Sequence, residues 1–350
     1  MIRYRLATHP DNLQLLELTA ATSMQGDISL CIDRQPDFFK LLEKRGETKV
    51  FIALEDEKII GSLSVSCQLV YVGGDVMPVR YIGDFKVYES YRNKGIGLML
   101  CNEMADWVMA AGSDLAFLNV AKGNKKPLSF FENRPQVPDF EQIGTFNIHQ
   151  FIGRRKRLLS GENEIKKTDA TDAVIQFLNK HYSQYELGPV ITKESIESTD
   201  IFVIVRQEII KGAMCLVNTM DYKQNIVMKL SWKMKNLLNI LNSLKNMLGI
   251  SRMPVPGEPV KMMYIKYLAV THHEKQVVRL MLNHARNVVY DKDYSFVSIG
   301  IHEKDPLNKC FAGLFRVTFK SVGMLLSIKG NQQLVEKVQK GIPYEDYSLV

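Results

Sequence analysis

The stretch YIGDFKVYESYRNKGIGLML, residues 81–100, joins a predicted strand to a predicted helix through a basic, glycine-bearing loop. Arg92 and Lys94 lead into Gly95 and Gly97, and an apolar run follows. Glycines let a backbone turn tightly and leave room for a ligand. The first N–H groups of a helix have no partner within the helix and attract anions. The stretch therefore predicts a site for a pyrophosphate group.

Two common phosphate-binding patterns do not fit this stretch. It is not GxGxxG, which is typical of dinucleotide-binding folds, and it lacks the GK[ST] of a P-loop. The alternative interpretation is a glycine-bearing surface loop with solvated basic side chains. The elements around the loop and the rest of the chain decide between the two.

Composition and charge narrow the class of protein. The chain has 350 residues, of which 46% are hydrophobic and 24% charged, which indicates a globular protein long enough for two domains. A net charge of +7 favours anionic ligands, but it is too weak and too dispersed to predict a nucleic-acid partner. Five scattered cysteines without a CxxC pair predict free thiols. With no signal-peptide pattern and no membrane-spanning run, we expect a cytoplasmic protein without a membrane partner.

The pattern of the first half recurs in the second half. VFIALEDEKIIGSLSVS aligns with IFVIVRQEIIKGAMCLVN, which pairs Gly61 with Gly212. Further on, YIGDFKV at 81–87 aligns with YIKYLAV at 264–270. Where the first copy has the glycine loop, the second has THHEKQVVRLML and no glycine. Matching segments in the same order predict a tandem repeat of one fold, whose second copy lacks the loop.

The quoted stretch resembles motif A of the GNAT superfamily, the acyl-CoA-dependent N-acyltransferases. Both the loop residues and the order of predicted strands and helices around them fit that family. The resemblance implies a mixed α/β fold made of two tandem GNAT-like domains, each with a largely antiparallel central sheet flanked by helices. We expect an acyl-CoA-binding domain at 1–152, a basic and polar linker at 153–168, and a degenerate second domain at 169–350. An inserted amphipathic helix is predicted near 233–249.

The resemblance also implies the cofactor contacts. Backbone amides of the loop would bind the acyl-CoA pyrophosphate, the end of the preceding strand would pair with the pantetheine arm, and asparagines on or after the next strand would complete the site. No metal is implied. The implied cofactor-binding residues are Phe85, Lys86, Val87, Arg92, Asn93, Lys94, Gly95, Ile96, Gly97, Asn119 and Asn124.

The catalytic residues are less well marked. Asp84, on the strand before the loop, is the candidate general base, and a hydrogen-bonded structural aspartate is the equal alternative. The position at which the family often has a tyrosine that acts as general acid falls on Phe130 or Phe131. Three tyrosines remain open as substitutes: Tyr71, Tyr88 and Tyr91.

The resemblance implies transfer of an acetyl group from acetyl-CoA, or of another acyl group from its acyl-CoA, to a primary amine. The amine acceptor is a small molecule or a peptide, and a homodimer is allowed. The alternative function is that of a non-catalytic acyl-CoA-binding or scaffold protein, which the absent tyrosine and the degenerate second copy favour.

Overall fold

The computed structural model describes residues 1–21, 23–24, 28–110, 114–122, 140–155 and 165–350. The predictions for Asn124, Phe130 and Phe131 concern residues outside these ranges.

The described strands alternate with helices along both halves of the chain. In the first half they are β1 (Ile2–Leu6), β2 (Ser23–Met24), β3 (Ile28–Asp33), β4 (Thr48–Glu55), β5 (Lys58–Val72), β6 (Asp75–Val87), β7 (Leu115–Ala121) and β8 (Glu141–Ile152). In the second half they are β9 (Ile165–Thr168), β10 (Gly188–Pro189), β11 (Asp200–Arg206), β12 (Ile209–Asn218), β13 (Gln224–Leu230), β14 (Met262–Val270), β15 (Phe296–His302) and β16 (Val317–Ser327).

The described helices flank this set of strands. They are α1 (Asn12–Ala20), α2 (Phe39–Glu43), α3 (Ile96–Ala110), α4 (Asp172–Tyr182), α5 (Lys193–Ile196), α6 (Trp232–Leu248), α7 (Lys275–Asp291), α8 (Leu307–Cys310) and α9 (Gln332–Lys340). Helix α6 confirms the helix predicted near 233–249. It begins after Ser231, whose side chain accepts from the Met234 N–H, and ends at Gly249 in the left-handed conformation. None of the helices in the described ranges has the length and apolar character needed to cross a membrane.

One continuous sheet crosses the whole protein. Its order is β1-β4-β5-β6-β7-β16-β8-β15-β14-β12-β11-β9, and β10 pairs with the free side of β5. Two neighbouring pairs are parallel, β6 with β7 and β14 with β15, and the other pairs of this sheet are antiparallel. The predicted mixed, largely antiparallel architecture flanked by helices is therefore confirmed.

The internal repeat is visible in the register of the sheet. Gly61 lies opposite Val87, and Gly212 lies opposite Val270, as the alignment of the two copies requires. A Cβ added to Gly61 would come within 3.2 Å of Ile96 and Leu100 of α3, and one on Gly212 would crowd α7 in the same way. Each glycine thus lets a helix pack closely against its strand.

The two halves exchange strands at the centre of the sheet. β8, from the first half, pairs with β15 and β16 of the second, and β16 inserts between β7 and β8. Two further pairings join the halves, β3 with β13 and β5 with β10. Residues 165–168, at the end of the predicted linker, form β9 and pair with β11. Main-chain hydrogen bonds therefore bind the two halves into one body.

Candidate functional site

The glycine loop connects β6 to α3 on the protein surface. After β6 ends at Val87, a single turn of 3₁₀ helix spans Glu89–Tyr91, and α3 begins at Ile96 as the sequence predicts. Gly95 has a φ of +81°, and a Cβ there would meet nothing within 4 Å. The glycine is therefore required by backbone conformation and leaves open space at the helix start. Residues 92–95 are exposed.

β6 and β7 separate beside this loop. Their parallel ladder has four pairs, from Val79 opposite Leu115 to Ile82 opposite Leu118. Beyond the last pair, β6 continues for five residues and β7 for three. These two described segments do not pair with each other. A register shift between Ser62 and Ser64 on β5 and a φ of +52° at Asp84 mark a bulge in β6 at this point. The bulge bends β6 and opens a gap in the sheet.

The strands beside the gap face a different apolar cluster on each side of the sheet. On one face, Ile82 and Leu118 pack in the apolar cluster of α3. On the other, Tyr81 and Phe117 belong to the large apolar cluster between the halves, and Asn119 follows Phe117 with the same orientation. The ends of β6 and β7 therefore border both faces of the sheet.

A cleft of about 530 Å³ lies on that opposite face. Its lining comes from β5, β6 and β7 of the first half and from β12, β14 and the last residues of the second half. The size lies in the range of small-molecule sites. Residues that carry a charge or an aliphatic hydroxyl group line its polar part: Glu43, Lys44, Arg45, Thr192, Glu194, Ser195, Ser198, Thr199, Lys266, Glu345, Asp346 and Ser348.

Asp84 is held in a buried ion-pair cluster beside the gap. Its carboxylate accepts hydrogen bonds from Arg34, from Arg45 Nη1 at 3.3 Å and from Ser64 Oγ at 2.8 Å, and its side chain is only 5% exposed. Burial by itself raises the pKa of Asp84, but the guanidinium groups of Arg34 and Arg45 hold it well below the usual range. A carboxylate with such a low pKa is a weak proton acceptor near neutral pH. These contacts favour the structural alternative for Asp84, and its role as general base stays a prediction.

The end of β6 carries the other strand residues predicted to bind the cofactor. Phe85 and Val87 pack against the cluster of α3, whereas the Lys86 side chain lies on the Asp84 face and its Nζ donates to the carbonyl of Thr19 at 3.2 Å. Burial lowers the pKa of Lys86 to about 8. The Phe85–Val87 backbone lies at the gap, where the sequence expects an added strand.

Asn119 lies at the gap, but its side chain is used within the protein. Its Nδ2 donates to Glu345 Oε2 at 2.8 Å, and its Oδ1 accepts from the Tyr347 hydroxyl at 3.4 Å. Glu345 was not predicted from the sequence as a site residue. No local motif marks it, since it comes from the extended segment after α9.

The comparisons with known proteins agree with this geometry. Residues 15–134 match the Acetyltransferase (GNAT) family. We call this matched region the GNAT domain. Among proteins of curated function, none has a sequence that matches this chain significantly.

Solved structures extend the likeness of fold to the second half. Saccharomyces cerevisiae N-myristoyltransferase, with bound myristoyl-CoA and inhibitors, has a TM-score of 0.60 at 12% identity, over 93% of this chain and 80% of that one. A GCN5-related N-acetyltransferase from Anabaena variabilis gives 0.53 at 9% identity, over 94% and 73%. A probable N-acyltransferase from Enterococcus faecalis gives 0.53 at 10% identity, over 94% and 73%. At these identities the likeness concerns the fold, and it covers nearly the whole chain.

Two of the three tyrosines considered as the general acid form hydrogen bonds outside the gap of the GNAT domain. The Tyr91 hydroxyl donates to Glu55, and the Tyr71 hydroxyl donates to Asn179 at 3.1 Å. The Tyr88 ring packs against the apolar cluster that includes α1, and Lys58 Nζ lies 5.4 Å from the centre of that ring. None of these three tyrosines is shown to serve as the acid.

The second half has a matching gap that its own side chains fill. The ladder of β14 with β15 ends at Tyr264 opposite Ser298. The space beyond is lined by Tyr182, Tyr185 and Tyr344 and holds only about 20 Å³. That volume suits one water molecule. The turn before α7 contains His272 and His273 and no glycine. The second half therefore has neither a glycine in this turn nor an open gap beside it.

Proposed function

We propose that the protein is an N-acyltransferase that transfers an acyl group from acyl-CoA, with acetyl-CoA the simplest donor, to a primary amine. The observation that carries this proposal is the gap between β6 and β7 beside the glycine loop at the start of α3. Such a gap lets one end of a long ligand stay on the α3 face while its reactive end reaches the cleft.

The loop supplies the anion-binding part of the site. Backbone N–H groups of residues 92–97 lie at the positive end of the α3 dipole, which favours a pyrophosphate. Arg92 and Lys94 add exposed positive charge. The backbone of Phe85–Val87 offers hydrogen-bonding groups to the pantetheine arm. Asn124 stays a predicted contact.

The cleft supplies the acceptor part of the site. It reaches the gap through the face that carries Tyr81 and Phe117, so an amine bound there approaches the thioester from the side opposite α3. Its lining offers polar groups of both signs to an acceptor, namely the carboxyl groups of Glu43, Glu194, Glu345 and Asp346 and the cations of Lys44, Arg45 and Lys266. This chemistry fits a small polyamine, an amino sugar or the amino group of a peptide.

The reaction requires an amine without its extra proton and a polarised thioester carbonyl. The nitrogen lone pair attacks the carbonyl carbon, and the sulfur leaves as the thiolate of CoA. In this proposal, backbone N–H groups near the bulge in β6 stabilise the negative charge that develops on the carbonyl oxygen. A thiolate is a fair leaving group, so the reaction proceeds without a dedicated tyrosine acid.

Calorimetric titration with acetyl-CoA tests the cofactor site. We expect micromolar binding by the wild type, loss of binding in Gly97→Glu, which places an anion at the pyrophosphate position, and near-normal binding in Gly97→Ala, which adds bulk without charge. If folded wild type binds neither acetyl-CoA nor longer acyl-CoAs, the proposed cofactor is wrong.

Turnover separates the enzyme from its alternative. With acetyl-CoA bound, we expect release of free CoA thiol in the presence of at least one amine among spermidine, glucosamine, a lysine peptide and a peptide with an amino-terminal glycine. Binding without turnover on any of these amines would favour the non-catalytic acyl-CoA-binding protein.

A further inference from the structure

Glu345 lies where the gap between β6 and β7 meets the cleft. Asn119, which bonds its carboxylate at 2.8 Å, is the first β7 residue after the last pair of the parallel ladder. Glu345 also lines the cleft, although only 9% of the residue is exposed. Its carboxylate is therefore within reach of both the thioester entry and an acceptor in the cleft.

Other ionisable groups at this place are already committed to partners. Asp84 is paired with Arg34 and Arg45, and Lys86 donates to a backbone carbonyl. The Tyr347 hydroxyl bonds Ser321, and burial raises the pKa of Tyr347 well above its ordinary value, so that this phenol keeps its proton. Glu345 forms no ion pair within 4 Å with the described residues, and it is the carboxylate at the gap that remains able to take up a proton.

The surroundings of Glu345 suit proton transfer near neutral pH. Burial and the negative charge of Asp346 raise its pKa to about 8, against the opposing influence of Arg45 and of the hydrogen bond from Asn119. A general base is most effective when its pKa lies near the working pH. The charged and titratable groups that act on Glu345 are Arg45, Tyr81, Lys223, Tyr344, Asp346 and Tyr347.

We propose that Glu345 is the general base of the acyl transfer and takes the proton from the attacking amine of an acceptor in the cleft. This inference rests on the proposed function. The nitrogen lone pair forms the N–C bond, and the electron pair of the C–S bond leaves with the sulfur. The proton passes from nitrogen to the Glu345 carboxylate and then to the thiolate, so the products are an amide and free CoA thiol.

The first test compares wild type with Glu345→Gln, which keeps the size of the side chain and removes its proton affinity. With the best amine of the panel, we expect kcat to fall by about 10²- to 10⁴-fold. In wild type, kcat/KM should rise with pH around a midpoint near 8, and this rise should be absent from Glu345→Gln. The ionisation of the amine substrate itself should still appear in the pH profiles of both proteins. Calorimetric affinity for acetyl-CoA should change less than about two-fold, which also shows that the variant is folded. Wild-type kcat and pH profile in Glu345→Gln would overturn the proposal.

Matched variants separate the failure of this inference from the failure of the proposed function. Glu345→Asp should recover part of the activity, and Glu336→Gln, the same substitution at an exposed site on α9, should behave as wild type. Turnover that is equal in wild type and Glu345→Gln refutes the role of Glu345 alone. Absence of acetyl-CoA binding and turnover in wild type refutes both.

A second measurement needs no acceptor. In protein labelled with ¹³C at the glutamate carboxyl carbons, we expect one resonance that titrates above pH 7 and is missing from Glu345→Gln. If every glutamate resonance of the wild type titrates below pH 6, Glu345 lacks the proton affinity that the proposal requires, and the proposal fails.

Discussion

Asn119 on β7 and Glu345 near the end of the chain are joined by a 2.8 Å hydrogen bond, although 226 residues separate them in the sequence. The bond links the strand that borders the gap to the segment that closes the cleft. It holds one Glu345 oxygen in place and favours the ionised carboxylate. Removal of this bond should therefore change the pH at which the enzyme works.

Asn119→Ala is expected to move the active pH range upward. Without the Nδ2 donor, the ionised form of Glu345 loses stabilisation, so its pKa rises. Activity should fall more at pH 7 than at pH 9, and the rising limb of kcat/KM should shift to higher pH. Asn147→Ala on β8 is the matched control and should leave the limb in place. An unshifted limb in Asn119→Ala would contradict the coupling.

Asp84→Asn is expected to destabilise the fold. It leaves Arg34 and Arg45 buried without their counter-ion, a change that typically costs about 3–5 kcal/mol. Ser64→Ala, which removes one hydrogen bond to Asp84, should cost about 1 kcal/mol. Urea unfolding followed by circular dichroism measures both. Full stability of Asp84→Asn with abolished turnover would instead support Asp84 as the general base.

The same ion pairs predict the response of stability to acid. The folded-state pKa of Asp84 lies below its unfolded value of about 4, so its contribution is complete above that value. The contribution is lost only as the pH falls from there through the folded-state pKa. The difference in unfolding free energy between wild type and Asp84→Asn should thus stay constant from pH 5 to 8 and shrink below about pH 4. A difference that shrinks already between pH 7 and 5 would refute this assignment.

Lys94→Ala is expected to weaken acetyl-CoA binding about two- to ten-fold at low salt. Lys94 is exposed on the glycine loop, with its Nζ 4.8 Å from the centre of the Tyr91 ring, and its charge acts through solvent. Salt screens such charges, so the effect should shrink at high ionic strength. Lys235→Ala, at an exposed site on α6, is the control. Equal affinities of Lys94→Ala and wild type at low salt would remove Lys94 from the site.

One acetyl-CoA is expected to bind per chain. The gap in the second half is filled by tyrosine side chains, and Tyr344 packs on Tyr182 with ring centroids 4.9 Å apart. The calorimetric stoichiometry should therefore be close to one. A value close to two would show that the second half also opens to accept the ligand.

Valine at Gly61 or at Gly212 should destabilise the protein through the same contact in each half. The new side chain would collide with α3 in one case and with α7 in the other, at a cost of about 1–3 kcal/mol each. The two sites lie in separate apolar clusters, so the losses in the double variant should add. A large loss at one glycine and none at the other would contradict the structural equivalence of the repeats.

Much of the fold was determined by local sequence patterns. Gly95 adopts a positive φ, and the apolar run after it forms α3, because turn conformation and helix formation depend on neighbouring residues. The repeat could be aligned because Gly61 and Gly212 meet the same packing requirement in each copy. These features predicted the architecture and the anion-binding loop.

Only the tertiary structure decided which side chains meet at the gap. Because β16 pairs with β7 and β8, the end of the second half packs against the first half. An alternating sequence pattern shows that a segment is a strand, but it does not specify which distant strand it pairs with. The sequence leaves Asp84 as either a base or a structural aspartate, and the ion pairs with Arg34 and Arg45 that favour the second form only in the folded chain. Glu345 carries no local motif, and its raised proton affinity arises from burial and from the negative charge of Asp346, against the opposing charge of Arg45. These groups come together only in the folded chain.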